Sequence, residues 1–88
     1  MEVIYKRCCG LDVHKEMVVA CLLIWEGGKV RKEIRTFLTM TVDLVVLHDW
    51  LEAHQVTHVA MESTGIYWRP VFNLLEEDFK VLLINAAH

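Results

Sequence analysis

The chain has 88 residues, 55% of them hydrophobic, which fits one small domain or part of one, burying only about 60 to 65% of the surface its unfolded form exposes. A formal net charge of −3 argues against a free-standing nucleic-acid binder, because phosphate affinity comes mainly from Lys and Arg displacing counterions. The longest apolar stretch, "MVVACLLIW" at 17–25, falls far short of the roughly 20 residues a membrane helix needs, and no signal-peptide pattern is present, so a cytoplasmic protein without a membrane partner is expected.

In chain order, residues 4–13 read as a first strand that turns through "HKE". Its Cys8 and Cys9, with Cys21, are odd in number and lack metal-ligand spacing, so reduced, packed thiols are expected. Val18 to Trp25 is aliphatic and β-branched without clean alternation, which predicts a strand buried on both faces. Gly27-Gly28 suits a two-residue hairpin turn, and Val30, Ile34 and Leu38 continue on one face of the returning strand. The basic stretch "KVRKEIR" at 29–35 reads as the solvated face of an edge strand, where Lys and Arg discourage aggregation.

The period then changes. In "TVDLVVLHDWLEAH", Leu44, Leu47 and Leu51 form one stripe, widened by Val46 and Trp50, and Thr41 with Asp43 supplies a helix start. "THVAME" is a short fourth strand, "STG" breaks the pattern, and Pro70 suits the first turn of a second helix running to about Asp78. The acidic run Glu76, Glu77, Asp78 then falls at a helix end, where the macrodipole disfavours it. "KVLLIN" is a fifth strand, apolar enough to lie inside a parallel sheet. His48, His54 and His58 share no obvious metal geometry, and surface or helix-end roles are expected for them.

The order β-β-β-α-β-α-β, with parallel strands required by the helical crossovers, predicts an α/β mixed sheet of the ribonuclease H-like (RuvC-like) class. In that arrangement the first strand lies beside the fourth. Asp12 and Glu62, each at the C-terminal end of its strand, become neighbours at the edge where open α/β sheets bind ligands. Adjacent carboxylates repel unless a proton or cation lies between them, and Mg²⁺ with phosphate is the natural hard partner. On spacing alone the metal reading is a weak signal, and two solvated strand ends are the simpler account of the acids.

The wording of the motifs adds to this. "GLDVHKEMVVACLL", "HVAMESTGIYWRPVFNLLE" and "VLLINAAH" together resemble the N-terminal catalytic domain of the DEDD-type transposases of bacterial insertion sequences, the group that includes the pilin gene invertase. The resemblance spans nearly the whole chain. It implies a RuvC-like nuclease fold in which four acids bind divalent metal, Mg²⁺ or Mn²⁺, and act on DNA in site-specific recombination, with Asp12 the first acid and Glu62 the second. It also implies a separate C-terminal domain carrying a catalytic serine and, in several members, a guide RNA encoded by the element. The third and fourth acids of the family lie downstream of the segment matching "INAAH". Residues 1–88 are therefore expected to be the N-terminal part of a ribonuclease H-like transposase catalytic domain, truncated before its final helices. Alone, this part should not cleave DNA, since the metal site needs all four acids. Apolar sheet surface left exposed should favour homo-oligomers.

Around the two acids, His14 and Lys15 are candidate phosphate contacts, weighed against a solvated turn. Ser63 and Thr64, with Gly65, are read as helix caps or as backbone contacts to phosphate. Tyr67 and Trp68 are read as sheet packing or as stacking platforms for splayed bases. Two other functions compete: a catalytically inactive, self-associating interaction module on the same fold, and a nucleotide-binding actin or sugar-kinase-like domain. The second is disfavoured by the bulk of "DVHK", since such domains place small residues after the first aspartate.

Overall fold

The computed structural model describes residues 5–85, with the side chain of Asn85 set aside. Ile4, the first residue of the expected opening strand, and the last three residues of "INAAH" lie outside the described residues. The elements are β1 (Arg7–Val13), β2 (Met17–Glu26), β3 (Lys29–Leu38), α1 (Thr41–Ala53), β4 (His58–Ser63), α2 (Trp68–Leu75) and β5 (Lys80–Asn85). They occur in the expected order and build one sheet, β3-β2-β1-β4-β5. β1 to β3 form an antiparallel meander, whereas β4 is parallel to both β1 and β5. This is the α/β, ribonuclease H-like mixed sheet anticipated above.

The hairpin between β2 and β3 turns on Gly27 (φ 57°) and Gly28 (φ 78°). Two successive positive φ angles define the primed turn whose twist matches the flanking strands, and glycine adopts them without a Cβ clash. β3 is an edge strand, as its basic residues suggested.

Both crossovers, β3 to β4 through α1 and β4 to β5 through α2, run toward β5 and join parallel strands. Crossovers of one hand running in one direction place their helices on the same side of a sheet. A single core accordingly fills one face: Cys9, Leu11 and Val13 of β1, Val18, Ala20, Leu22 and Ile24 of β2, Phe37 of β3, and Val59 and Met61 of β4. Leu44, Leu47, Trp50 and Leu51 of α1 cover them with Val71 and Leu75 of α2. The Phe37 and Trp50 rings meet at 5.5 Å, and each fully buried Leu contributes about 1.5–3 kcal/mol.

Several expectations are corrected by this one-sided packing. β2 is not buried on both faces. Its even-numbered residues from Val18 to Ile24 are fully buried while Val19, Cys21 and Leu23 are only half-buried. β5 is not an inner strand but the second edge, and Leu82 is 64% exposed. Val46 does not widen the buried stripe of α1; it is exposed.

The helix ends also differ. α1 begins at Thr41, but Met40 is the N-cap residue and no side chain caps the helix; the Met40 carbonyl accepts from the Asp43 and Leu44 N–H groups. At the other end Gln55 takes a positive φ of 56°, the Gln55 N–H donates to the Glu52 carbonyl and the Val56 N–H to the Leu51 carbonyl. That is a Schellman closure, with Val56 packed into the core behind it. α2 holds Pro70 in its first turn but stops at Leu75. Glu76 to Asp78 then turn, and the Phe79 N–H donates to the Leu75 carbonyl as Phe79 enters the core.

Candidate metal and nucleic-acid site

Strand periodicity decides which side chains of β1 and β4 share a face. The parallel register pairs Gly10 with Ala60 and Asp12 with Glu62. Their in-between neighbours Leu11, Val13, Met61 and Ser63 are buried under the helices, so Asp12 and Glu62 lie side by side on the uncovered face, on strands about 4.8 Å apart. Both acids stand near the C-terminal ends of their strands and are exposed.

Beside them a cleft of about 390 Å³ is lined by Gly10, Leu11, Asp12, Val19, Cys21, Ala60, Glu62 and Ile84. Small residues keep its floor low. A methyl group built on Gly10 would meet no atom within 4 Å, so the glycine leaves space above the sheet rather than relieving a contact.

His14 follows β1 and places its Nε2 3.0 Å from Asp12 Oδ2. Both side chains are at least half exposed, so this pair orients Asp12 more than it stabilises the fold. The turn is tied to the rest of the sheet: the His14 N–H donates to the Met17 carbonyl, and the Thr39 hydroxyl and N–H donate to the Lys15 and Glu16 carbonyls. Lys15 is exposed beside it.

After β4 the candidates separate. Ser63 is only 5% exposed, sits on the helix-covered face opposite Glu62 and donates its hydroxyl to the Thr64 carbonyl. Thr64 is exposed, and Gly65 takes a positive φ of 62°. The expected capping is absent: Tyr67 occupies the N-cap position of α2, in helical conformation, with no side-chain cap bond. Tyr67 remains exposed. Trp68 is half-buried against the core, edge-on to Phe72 at 5.6 Å, with the Arg69 guanidinium 5.5 Å from its ring centre. Asp12, Glu62 and His14 thus come together, Lys15, Thr64 and Tyr67 stand exposed at the same end of the sheet, and Ser63 and Trp68 belong to the packed side.

No helix among the described residues is long and apolar enough to cross a membrane. The thiols are free: Cys9 is buried, which pushes it up to about 12, and Cys8 and Cys21 are half-buried on the uncovered side. His54 donates Nδ1–H to the Trp50 carbonyl at the end of α1 and His58 stacks under Tyr5, the helix-end and surface roles expected. His48 departs from that expectation. Its Nε2 is 2.7 Å from Asp78 Oδ2 and its Nδ1 3.1 Å from Asp49 Oδ1, and the Asp78 bond is the main reason its pKa lies above the ordinary histidine value. The missed signal was local: His48 and Glu52 are one helical turn apart, but Asp78 was assigned to a helix that ends three residues earlier.

The same arrangement of strands and helices occurs in solved structures of a viral resolvase and of RuvC. The fowlpox virus resolvase, solved with Holliday junction DNA, superposes with a TM-score of 0.63 at 11% identity, over 93% of this chain and 62% of the resolvase. RuvC of T. thermophilus with a Holliday junction substrate gives 0.64 at 12% identity, over 93% of this chain and 66% of RuvC. A further Thermus thermophilus RuvC structure gives 0.56 at 16%, over 90% and 63%. The chain therefore spans less than two thirds of the length of these structures, and at such identities the likeness is one of fold. No curated protein sequence matches the chain significantly. A family model described as transposase, for the DEDD transposases of the IS110 type, matches residues 9–88. With both Asp12 and Glu62 inside that match, the chain belongs to the IS110-type DEDD transposase family.

Proposed function

We propose that this chain is the N-terminal part of the DNA-cleaving catalytic domain of a DEDD transposase, and that Asp12 and Glu62 are the first two of its four acids. The observation that carries the reading is the in-register pairing of Asp12 with Glu62 on the uncovered face, at the strand ends where α/β sheets bind ligands. The Holliday junctions held by the resolvase and RuvC structures support DNA as the substrate class.

The donor set suits a hard divalent ion, Mg²⁺ or Mn²⁺: two exposed carboxylates beside an open cleft. It suits such an ion only in part. Among the described residues, no third metal-ligating side chain joins both acids with all ligand atoms within 4.8 Å. When bound, the ion would activate the attacking oxygen and offset charge on the phosphodiester. This chain's own residues would hold it through Asp12 and Glu62, and His14 would keep the Asp12 carboxylate turned toward the cleft. Exposed beside the acids, Lys15 would meet a DNA phosphate, and Thr64 and Tyr67 the strand beyond it. With a net charge of −3, most phosphate contacts would come from basic residues in other parts of the transposase.

A second reading rests on the same face. Met17, Trp25, Val30, Ile34, Leu38, Leu82 and Ile84 are exposed there, a patch that favours self-association and makes the 88 residues alone an interaction module. Calorimetric titration of Mg²⁺ and Mn²⁺ into the chain, beside Asp12→Asn and Glu62→Gln, separates the two. Weak binding lost in either variant supports the half-site; no binding by the parent leaves the interaction module as the better account of the isolated chain.

A further inference from the structure

A second donor cluster lies at the opposite end of the molecule. Asp78 stands just before β5, whose first residue Lys80 pairs with His58 at the start of β4, whereas Asp12 and Glu62 mark the C-terminal strand ends on the other face. The ligand atoms of His48, Glu52 and Asp78 all lie within 4.8 Å of one another, the one such trio among the described residues. We propose that His48, Glu52 and Asp78 form a structural site for a zinc-class divalent cation that ties α1 to the turn entering β5.

The chemistry of the trio favours this ion class. One imidazole and two carboxylates suit Zn²⁺ and its first-row neighbours better than Mg²⁺ or Ca²⁺, and three protein ligands plus water complete a tetrahedron. His48 is prepared for the role. Asp49 Oδ1 accepts from Nδ1, which leaves Nε2 directed at the cluster, the carboxylate–histidine arrangement that orients metal-bound imidazoles. The ring is only 16% exposed and is held edge-on against Phe79 at 5.4 Å. No Lys or Arg among the described residues comes within 4.0 Å of the carboxylates of Asp49, Glu52 or Asp78, so the cluster has no side-chain cation other than the proton His48 can carry.

The geometry needs adjustment at both carboxylates, with Glu52 drawing in from within 4.8 Å of the other two ligand atoms. Ligand atoms about 2.0–2.1 Å from zinc lie roughly 3.3 Å apart across a tetrahedron. The 2.7 Å hydrogen bond from His48 to Asp78 would open by about half an ångström, in an exposed turn that can move. Helix α1 and the α2–β5 turn are already joined by the His48–Asp78 bond and the His48–Phe79 contact, and an ion would bring Glu52 into the same link.

The test is Zn²⁺ titration of the EDTA-treated chain at pH 7.5, followed by calorimetry, thermal melting and long-range ¹H–¹⁵N spectra of the imidazoles, with circular dichroism checking that each variant folds. One equivalent should bind, raise the melting temperature and shift His48 Nε2. His48→Gln and Asp78→Asn should each weaken binding at least tenfold, while Asp12→Asn and the Cys8→Ser, Cys21→Ser pair leave it unchanged. Absence of saturable binding, binding indifferent to His48→Gln and Asp78→Asn, or binding lost with the two cysteines would each overturn the proposal.

Discussion

The two faces of this sheet are made from the same strands, one residue out of phase, and they differ in almost every physical respect. The covered face is a continuous aliphatic layer with the helices packed on it. The other carries two exposed acids, a cleft floored by Gly10 and Ala60, and apolar side chains left in water. Stability is concentrated on one side and candidate chemistry on the other, so a substitution should declare its face by which property it changes.

The largest contrast is between Leu47 and Asp12. Leu47→Ala, on the covered face, should cost about 2–5 kcal/mol by leaving a cavity, enough to unfold much of so small a domain, as read by chemical denaturation. Asp12→Asn should shift stability by no more than about 0.5 kcal/mol yet lower strand cleavage by the complete transposase by about 10²-fold or more, as expected for loss of a charge-stabilising group. Equal effects of the two on melting would erase the distinction.

Next in size is self-association. Ile34 is 60% exposed and sits on the uncovered face with Leu82. Replacing both by Lys should move the sedimentation profile toward monomer while leaving the melting temperature within a few degrees; an unchanged profile would remove this face from the interface.

The cysteines report the same division. At pH 8, a thiol reagent should modify Cys8 and Cys21 well ahead of Cys9, whose burial raises it from 9.0 to about 12. The linkage has a definite sign. Stability gained by keeping Cys9 neutral is full below pH 9.0 and is lost as the pH climbs toward 12, so Cys9→Ala should flatten that part of the stability curve relative to the parent.

The smallest effect is at Gln55. Its positive φ strains any residue with a Cβ, and Gln55→Gly should stabilise the Schellman end of α1 by about 1 kcal/mol or less in a melting experiment.

Much of this division was legible beforehand because it follows from period and turn chemistry. Gly27-Gly28 announces the primed hairpin, and the α1 stripe of Leu44, Leu47 and Leu51 is a 3.6-residue pattern. The order of elements places β1 against β4, and with it Asp12 beside Glu62. What was not legible is which side receives cover. Val19, Leu23, Leu82 and Ile84 are as apolar as their buried neighbours, and only the common direction of the two crossovers leaves them outside. Asp78 was obscured for a different reason: apolar periodicity does not mark where α2 unwinds, and that turn is what brings Asp78 to His48.

The pairing of Asp12 with Glu62 also has a kinetic meaning. Fifty residues separate the partners (62 minus 12), so their contact closes a long loop whose entropy must be lost before the strand pairing returns anything. The antiparallel hairpins are local and can form first; β4 can reach β1 only after α1 has carried the chain across two strands. On these grounds the two carboxylates are expected to come together after the local hairpins have formed. A chain that presents both acids to a single ion has already paired β4 with β1, which makes ion binding a reporter of that long-range step.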